Sequence, residues 1–286
     1  PPGSREIAYT LKTSLLRPSF FRKRQALKTV HVVRYALDSQ VLPLITETVH
    51  VAEIARRNVQ GIFGRKFDGA FSPVLSGKTA DGQPLSGHSH SFFLPTDEDG
   101  DMRLDHLTIF SSKGFDAGRE LVALDSFQKM HAPKTGAEIR LLLVGTGGMT
   151  IGSQIPIVSR SSKWRSVTPF IPVRHYKTRG QKKDTCSYEA FPEVVLREEL
   201  LKRGFPQPVS ILTLPRCDLW DHEKKVISRN SRNLSWLQFR RERFAGNGKK
   251  GQHPGGGFEI EFDQPVQGPV ALGYGCHYGL GLFAPA

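Results

Sequence analysis

Three histidines define the chemistry open to this chain. His88 and His90 stand two apart in the run Gly-His-Ser-His-Ser-Phe-Phe-Leu-Pro (87–95), and His106 follows Asp105 on the next apolar segment. Imidazole titrates near neutrality, so histidines gathered on one surface can take a proton from one oxygen and return one to another. Residues two apart on a strand share a face, so His88 and His90 project together if the strand begins at that point. A hairpin between the two segments brings His106 toward the same region. Taken singly, each histidine also reads as a hydrogen-bonded residue at a strand end; the three together favour acid–base use.

Competing chemistries fit less well. A metallohydrolase pattern H-x-H-x-D-H is broken because Phe92 and Phe93 occupy ligand positions. The acidic run 97–101 has its glycine fourth rather than sixth and no acid at the twelfth position, so it is a solvated turn and not a calcium loop. There is no G-x-S-x-G elbow, and Cys276 and His277 are chain neighbours whose side chains diverge. No metal site and no small-molecule cofactor are expected. The cysteines Cys186, Cys217 and Cys276 form no CxxC pair, which leaves neither a disulfide framework nor a zinc knuckle and points to a reducing, cytoplasmic setting.

A second feature lies at the C-terminal end, where Gly268, Gly273, Gly275, Gly279 and Gly281 alternate with Tyr274, Cys276, His277 and Tyr278. Successive amides in such a loop can form a concavity for phosphate oxygens. The spacing matches neither the dinucleotide fingerprint nor the Walker A loop. A glycine-kinked closing strand is the alternative.

The elements that must carry these residues follow from periodicity. A β-branched run at 29–37 reads as a strand, 44–63 as an amphipathic helix, 91–94 and 104–110 as a hairpin, 117–130 as a helix and 139–144 as a strand. That order is β-α-β-β-α-β, the split βαβ of ferredoxin-like domains. The second half offers strands at 167–174, 209–214, 234–239 and 258–262 and a helix at 193–203 stopped by Gly204 and Pro206, but no visible second helix. The expected fold class is therefore α+β, with two tandem ferredoxin-like (RRM-like) domains and a C-terminal glycine-rich loop. The expected boundaries are 1–28 for an N-terminal segment, 29–150 for the first domain and 151–166 for a linker. The second domain then runs over 167–286, with the loop at 268–283. The opening Pro-Pro-Gly-Ser reads as a tag scar or linker remnant.

Lysine and arginine number 40 against 27 acids, a formal net charge of +13. The charge clusters at 17–28, 174–183 and 224–250, the last interleaved with Trp220, Trp236, Phe239 and Phe244. Clustered cations beside stacking surfaces suit a nucleic acid. Arg174, Lys177, Lys182, Lys183, Arg240, Arg241, Arg243, Lys249 and Lys250 are the expected phosphate contacts. No run approaches the roughly 18 apolar residues of a membrane span, so no membrane partner is expected.

The segments RYALDSQVLP (34–43), LSGKTADGQPLSGHSHSFFLPTDEDGDMRLDHLTIFSSKGF (75–115), TPFIPVRHYK (168–177) and LGYGCHYGLGLF (272–283) carry a resemblance. The chain resembles the CRISPR repeat-RNA endoribonucleases of the RAMP superfamily. It is most similar to the endoribonuclease part of the subtype I-G (I-U) protein, in which that activity is fused to a backbone subunit. The resemblance implies a prokaryotic, cytoplasmic protein whose partners are CRISPR repeat or guide RNA and other subunits of a type I effector complex. Residues before 29 would be the end of the preceding backbone-subunit domain. It also implies metal-independent cleavage, in which the ribose 2′-OH attacks the adjacent phosphate to give a 2′,3′-cyclic phosphate and a 5′-OH. His88, His90 and His106 would supply the base and acid, His88 first because it follows a glycine at a loop-to-strand junction. Lys78, Arg103 and Lys113 would stabilise the phosphorane. Gly273, Gly275, His277, Tyr278, Gly279 and Gly281 would grip the RNA, leaving the chemistry to the region of His88. The alternatives are a non-catalytic RNA-binding subunit and a metal-dependent nuclease or phosphohydrolase.

Overall fold

A computed structural model describes residues 29–79, 81–85, 87–148, 155–181, 183–214, 220–221, 226–227, 234–244 and 253–286. The first unit is built on β1 (Val30–Asp38), α1 (Thr48–Lys66), β2 (Phe92–Thr96), β3 (His106–Phe115), β4 (Lys129–His131) and β5 (Glu138–Gly147), with short helices α2 (Pro73–Ser76) and α3 (Glu120–Asp125). Its antiparallel sheet has the order β2-β3-β1-β5-β4. Set aside the β4 edge hairpin and this is the ferredoxin-like order.

Alternation in β1 sends Val33, Tyr35 and Leu37 toward α1 and Val32 to the opposite face. Val51, Ala55, Val59 and Phe63 recur every fourth residue on α1 and are fully buried against that sheet. The two valines and the phenylalanine each contribute roughly 1.5–3 kcal/mol, and the Ala55 methyl less. Pro95 sits in β2, and the sheet tolerates it because β2 is an edge strand. The predicted hairpin is present, with Thr96 opposite His106 and Phe92 opposite Phe110. The helix expected over 117–130 is only the six residues of α3. Phe127 leaves it to meet the ring of Tyr35 edge-on at 5.6 Å, and Met130 enters β4, so both are buried from an extended segment.

The second unit contains β6 (Arg160–Ser166), α4 (Phe191–Lys202), β7 (Ser210–Leu214), β10 (Gly257–Gln267), β11 (Val270–Ala271) and β12 (Leu282–Pro285). A two-residue pair, β8 (Trp220–Asp221) and β9 (Val226–Ile227), lies apart from it. The sheet order β11-β12-β6-β10-β7 repeats the first unit's arrangement. Two expectations change here. Residues 160–166 are not linker but an interior strand, which holds the fully buried Trp164. Residues 167–174 form no strand, because Pro169 and Pro172 cannot donate to a ladder; only Phe170 bridges, to Gly256. Residues 236–238 likewise make a 3-10 turn capped by Ser235 rather than a strand.

The helix-free face of the first sheet, with Val32, Phe92, Leu94 and Phe110, packs on Ile157, Val158, Ala271, Leu282 and Ala284 of the second unit. Between β10 and β12, where the first unit has α3, the second carries the glycine loop with its 3-10 turn Cys276–Tyr278. Among the described residues no helix is long and apolar enough to cross a membrane.

Candidate active site

The glycine loop is fastened from several sides. Glu199 on α4 accepts the Gly273 N–H at 2.9 Å. Arg203, one turn further, donates to Ala271 O at 3.3 Å and to Cys276 Sγ at 3.2 Å. Thr168 Oγ1 donates to Gly279 O at 2.7 Å, and the Gly281 N–H bonds Pro169 O at 2.9 Å. Gly281 adopts φ +55°, and a Cβ there would run into Leu272 O, so no side chain fits. The amides of Gly273, Gly279 and Gly281 are thus engaged inside the protein, and the loop they shape positions a side chain.

That side chain is His277. Its ring lies between His90, with centroids 3.7 Å apart, and Phe92 at 3.8 Å, both stacked. His277 Nδ1 is 3.2 Å from Ser91 O, and its Nε2 is 2.9 Å from His88 Nδ1. A carbonyl only accepts, so Nδ1 of His277 carries the proton and the neutral ring presents a bare Nε2. His88 Nδ1–H must then donate to it, which leaves the lone pair of His88 on Nε2. His88 is exposed, whereas His90 is half-buried beside Gly77. Gly77 closes α2 at φ +69°, and a Cβ there would strike the His90 ring at 2.7 Å. Ser91 fixes the segment by bonding Val74 O through both its N–H and its hydroxyl.

These histidines border a cleft of about 380 Å³ whose walls also include Lys78, Arg56, Arg241, Arg243 and Tyr278. The Tyr278 hydroxyl accepts from Arg56 Nη1 at 2.7 Å and from Arg243 Nη1 at 3.0 Å. Both guanidiniums lie near its ring, at 5.7 and 5.2 Å from the centroid. Two cations converging on one neutral oxygen make a natural seat for an anion.

Although its ring is partly open to solvent, loss of hydration on the side packed toward Phe92 and His277, then Arg203 and His90, pushes His88 down to about 4. His90 also falls to about 4, through burial and then Arg56 and Arg203. His277 is held well below the ordinary histidine range by burial and then by His90. All three are therefore neutral at pH 7, the state in which an imidazole accepts a proton. Burial pushes the Cys276 thiol up to about 11.

The remaining expected site residues are dispersed. His106 faces Thr96 at the far end of β2, about 13 Å along the strand from Phe92. Its Nδ1 meets Asp105 Oδ1 at 2.9 Å, beside the Arg34–Glu98 ion pair of 2.6 Å, so it does not join His88 and His90. Lys78 lines the cleft, but Arg103 donates to Leu42 O at 2.6 Å in another region and Lys113 borders a separate cavity with Asp116 and Glu120. Arg174 is neutralised by Asp184 at 2.7 Å and Glu198 at 3.1 Å, and Arg240 lies 3.5 Å from Glu47. Lys177 and Lys183 are exposed, away from the cleft lining. Lys182, Lys249 and Lys250 lie outside the described residues.

Sequence reasoning missed Arg56, although a signal existed. It falls in the α1 stripe between Ala52 and Val59, where an arginine needs a partner. Arg203 read only as a helix stop. Among the described residues, two groups offer metal-ligand atoms. Those of His88, Cys276 and His277 lie within 4.8 Å of one another, and Asp97, Asp99 and Asp105 form the second group. The second is a self-satisfied turn: Asp97 accepts the amides of Gly100 and Met102, and Asp105 those of Glu98 and Asp99. Burial raises the Asp97 carboxyl to about 7.

Comparison with protein-family models and with curated proteins finds no match. Among solved structures, the chain is similar to Thermus thermophilus Cas6, with a TM-score of 0.37 and 15% sequence identity over 91% of this chain and 100% of that chain.

Proposed function

We propose that this chain is a metal-independent endoribonuclease that cleaves CRISPR repeat RNA, with His88 as the general base. The observation that carries the reading is His88 itself, exposed at a cationic cleft and tied through Nδ1 to His277 so that its Nε2 lone pair is free. In the proposed step His88 Nε2 takes the 2′-OH proton, O2′ bonds to phosphorus, and the bond from phosphorus to O5′ breaks. The products are a 2′,3′-cyclic phosphate and a 5′-OH. His90 protonates the leaving O5′; the incoming phosphate, an added negative charge, favours its imidazolium form. Lys78, Arg56 and Arg243 stabilise the phosphorane charge. The substrate class comes from the sequence likeness to the subtype I-G protein. On that reading the chain works beside other subunits of a type I effector.

The test is incubation with cognate repeat RNA in EDTA, with end-group analysis of the products. Cleavage to a cyclic phosphate is the expected result. Cleavage abolished by EDTA would point to a metal-dependent nuclease, and tight binding without cleavage to an RNA-binding subunit; either overturns the proposal.

A further inference from the structure

We propose that His88, His277 and Cys276 form a site for a thiophilic divalent cation of the Zn²⁺ class, and that its occupancy switches the base off. Residues 189 positions apart in sequence place two ring nitrogens 2.9 Å from each other. Two such atoms are stable together only with something electropositive between them, either a proton or a metal. Ser91 O fixes the outer proton of His277, the arrangement by which a backbone carbonyl orients a metal-binding imidazole. Cys276 Sγ supplies a third donor, with the three ligand atoms within 4.8 Å of one another. Bond lengths of roughly 2.0–2.1 Å to nitrogen and 2.3 Å to sulfur put tetrahedral ligands about 3.3–3.6 Å apart. The nitrogens are already near that separation, and closure about the sulfur is on the order of 1 Å. Arg203 donates to Sγ at 3.2 Å and offsets part of the burial that disfavours the thiolate, and the bound cation displaces the Sγ proton. Two imidazoles and a sulfur select zinc over magnesium or calcium.

The consequence for cleavage rests on the proposed function; the binding does not. Without metal, His88 keeps its proton on Nδ1 and its lone pair on Nε2. A cation on Nδ1 takes that nitrogen's lone pair and moves the ring proton to Nε2, the atom that would accept the 2′-OH proton. RNA cleavage then stops without any loss of the basic surface.

The test titrates the purified full chain with Co²⁺, followed by Zn²⁺ displacement, and reads absorption. One equivalent of Co²⁺ should give a sulfur-to-cobalt charge-transfer band with tetrahedral d–d bands. The band should persist when Cys186→Ser and Cys217→Ser are combined, and vanish in Cys276→Ser checked for folding by circular dichroism. His88→Ala, at an exposed position, should weaken uptake at least about 10-fold. No band in the wild type, or a band surviving in Cys276→Ser, would overturn the site. In parallel, one equivalent of Zn²⁺ should suppress cleavage and EDTA restore it. Full cleavage with the site loaded would overturn the switch. A chain that binds cobalt through Cys276 yet cleaves in neither buffer would refute the base assignment and leave the cation site standing.

Discussion

Replacing His277 by phenylalanine should slow RNA cleavage about 10- to 150-fold while leaving RNA affinity unchanged. Phenylalanine preserves the ring between His90 and Phe92, so the stack at 3.7 and 3.8 Å has a substitute of similar shape. It removes the Nε2 acceptor that lies 2.9 Å from His88 Nδ1. As His88 takes the 2′-OH proton it becomes an imidazolium, and its bond to His277 becomes charge-assisted. Such a bond is worth roughly 1.5–3 kcal/mol, and each 1.36 kcal/mol is tenfold in rate, which gives the range stated. Ser91 O also loses its donor, so stability should fall by about 1–3 kcal/mol and the assay belongs well below the melting point. The measurement is single-turnover cleavage of end-labelled repeat RNA with enzyme in excess, alongside an anisotropy titration. His277→Gln, whose amide oxygen can accept from His88, should recover part of the rate. Wild-type cleavage by His277→Phe, or a defect residing wholly in affinity, would refute the argument that this contact holds the base in its reactive tautomer.

His88→Ala should lose about 10²- to 10⁴-fold in rate, the usual contribution of a general base, whereas His106→Ala should cleave normally because His106 is held by Asp105 at the other end of β2. Equal defects in the two variants would contradict the site. His88 and His90, lowered to about 4 in the fold, stay neutral as pH falls through 6.5. Because His90 must carry the proton it gives to O5′ while His88 stays neutral, the second-order rate constant should rise as pH falls from 7 and turn over only near 4; an acid limb centred at 6.5 would exclude His88 as the base. The same shifts make the unfolded chain bind more protons, so the stability they contribute is present above pH 6.5 and is lost as pH drops from 6.5 toward 4. Denaturant melts across that window read it directly. Gly281→Ala should lower stability by about 1–3 kcal/mol, from a positive φ and a blocked approach to Leu272 O, and should depress cleavage by displacing His277. An unchanged melting temperature would show that the loop tolerates a side chain there.

The first unit was legible because its pattern is local. Alternation in β1, the four-residue repeat on α1 and the acidic turn between β2 and β3 each identify an element within a dozen residues. β6 was not legible, because Arg-Ser-Ser-Lys-Trp-Arg-Ser buries only Trp164 and Ser166 and so carries almost no alternation. Its place in the sheet is set by β10 and β12 on either side. The apolar run beyond it attracted a strand assignment on hydrophobicity, although two prolines exclude it from a ladder. At the site, the two-residue spacing of His88 and His90 was visible, but their partner lies 189 residues downstream. No sequence period connects the two.

That separation explains why the loop read as an RNA grip and the histidines as a distant centre, whereas the fold brings His277 of the loop against His88 and His90. The second unit places the glycine loop where the first unit has a helix, between its third and fourth ferredoxin strands. A helix there would turn its amides inward on its own axis. The loop instead gives its amides to Glu199 and Pro169 and turns the 3-10 segment Cys276–Tyr278 toward α1 and β2 of the first unit. Three successive residues then take three different tasks. Cys276 packs into the apolar seam between the sheets, His277 meets His88, and Tyr278 gathers Arg56 from the first unit and Arg243 from the second. The cleft is consequently a property of the docked pair of units: His88, His90, Lys78 and Arg56 come from one, His277, Tyr278, Arg241 and Arg243 from the other. The apolar seam of Val32, Phe92, Leu94 and Phe110 against Leu282 and Ala284 fixes the geometry of that chemistry, although none of its members carries a charge.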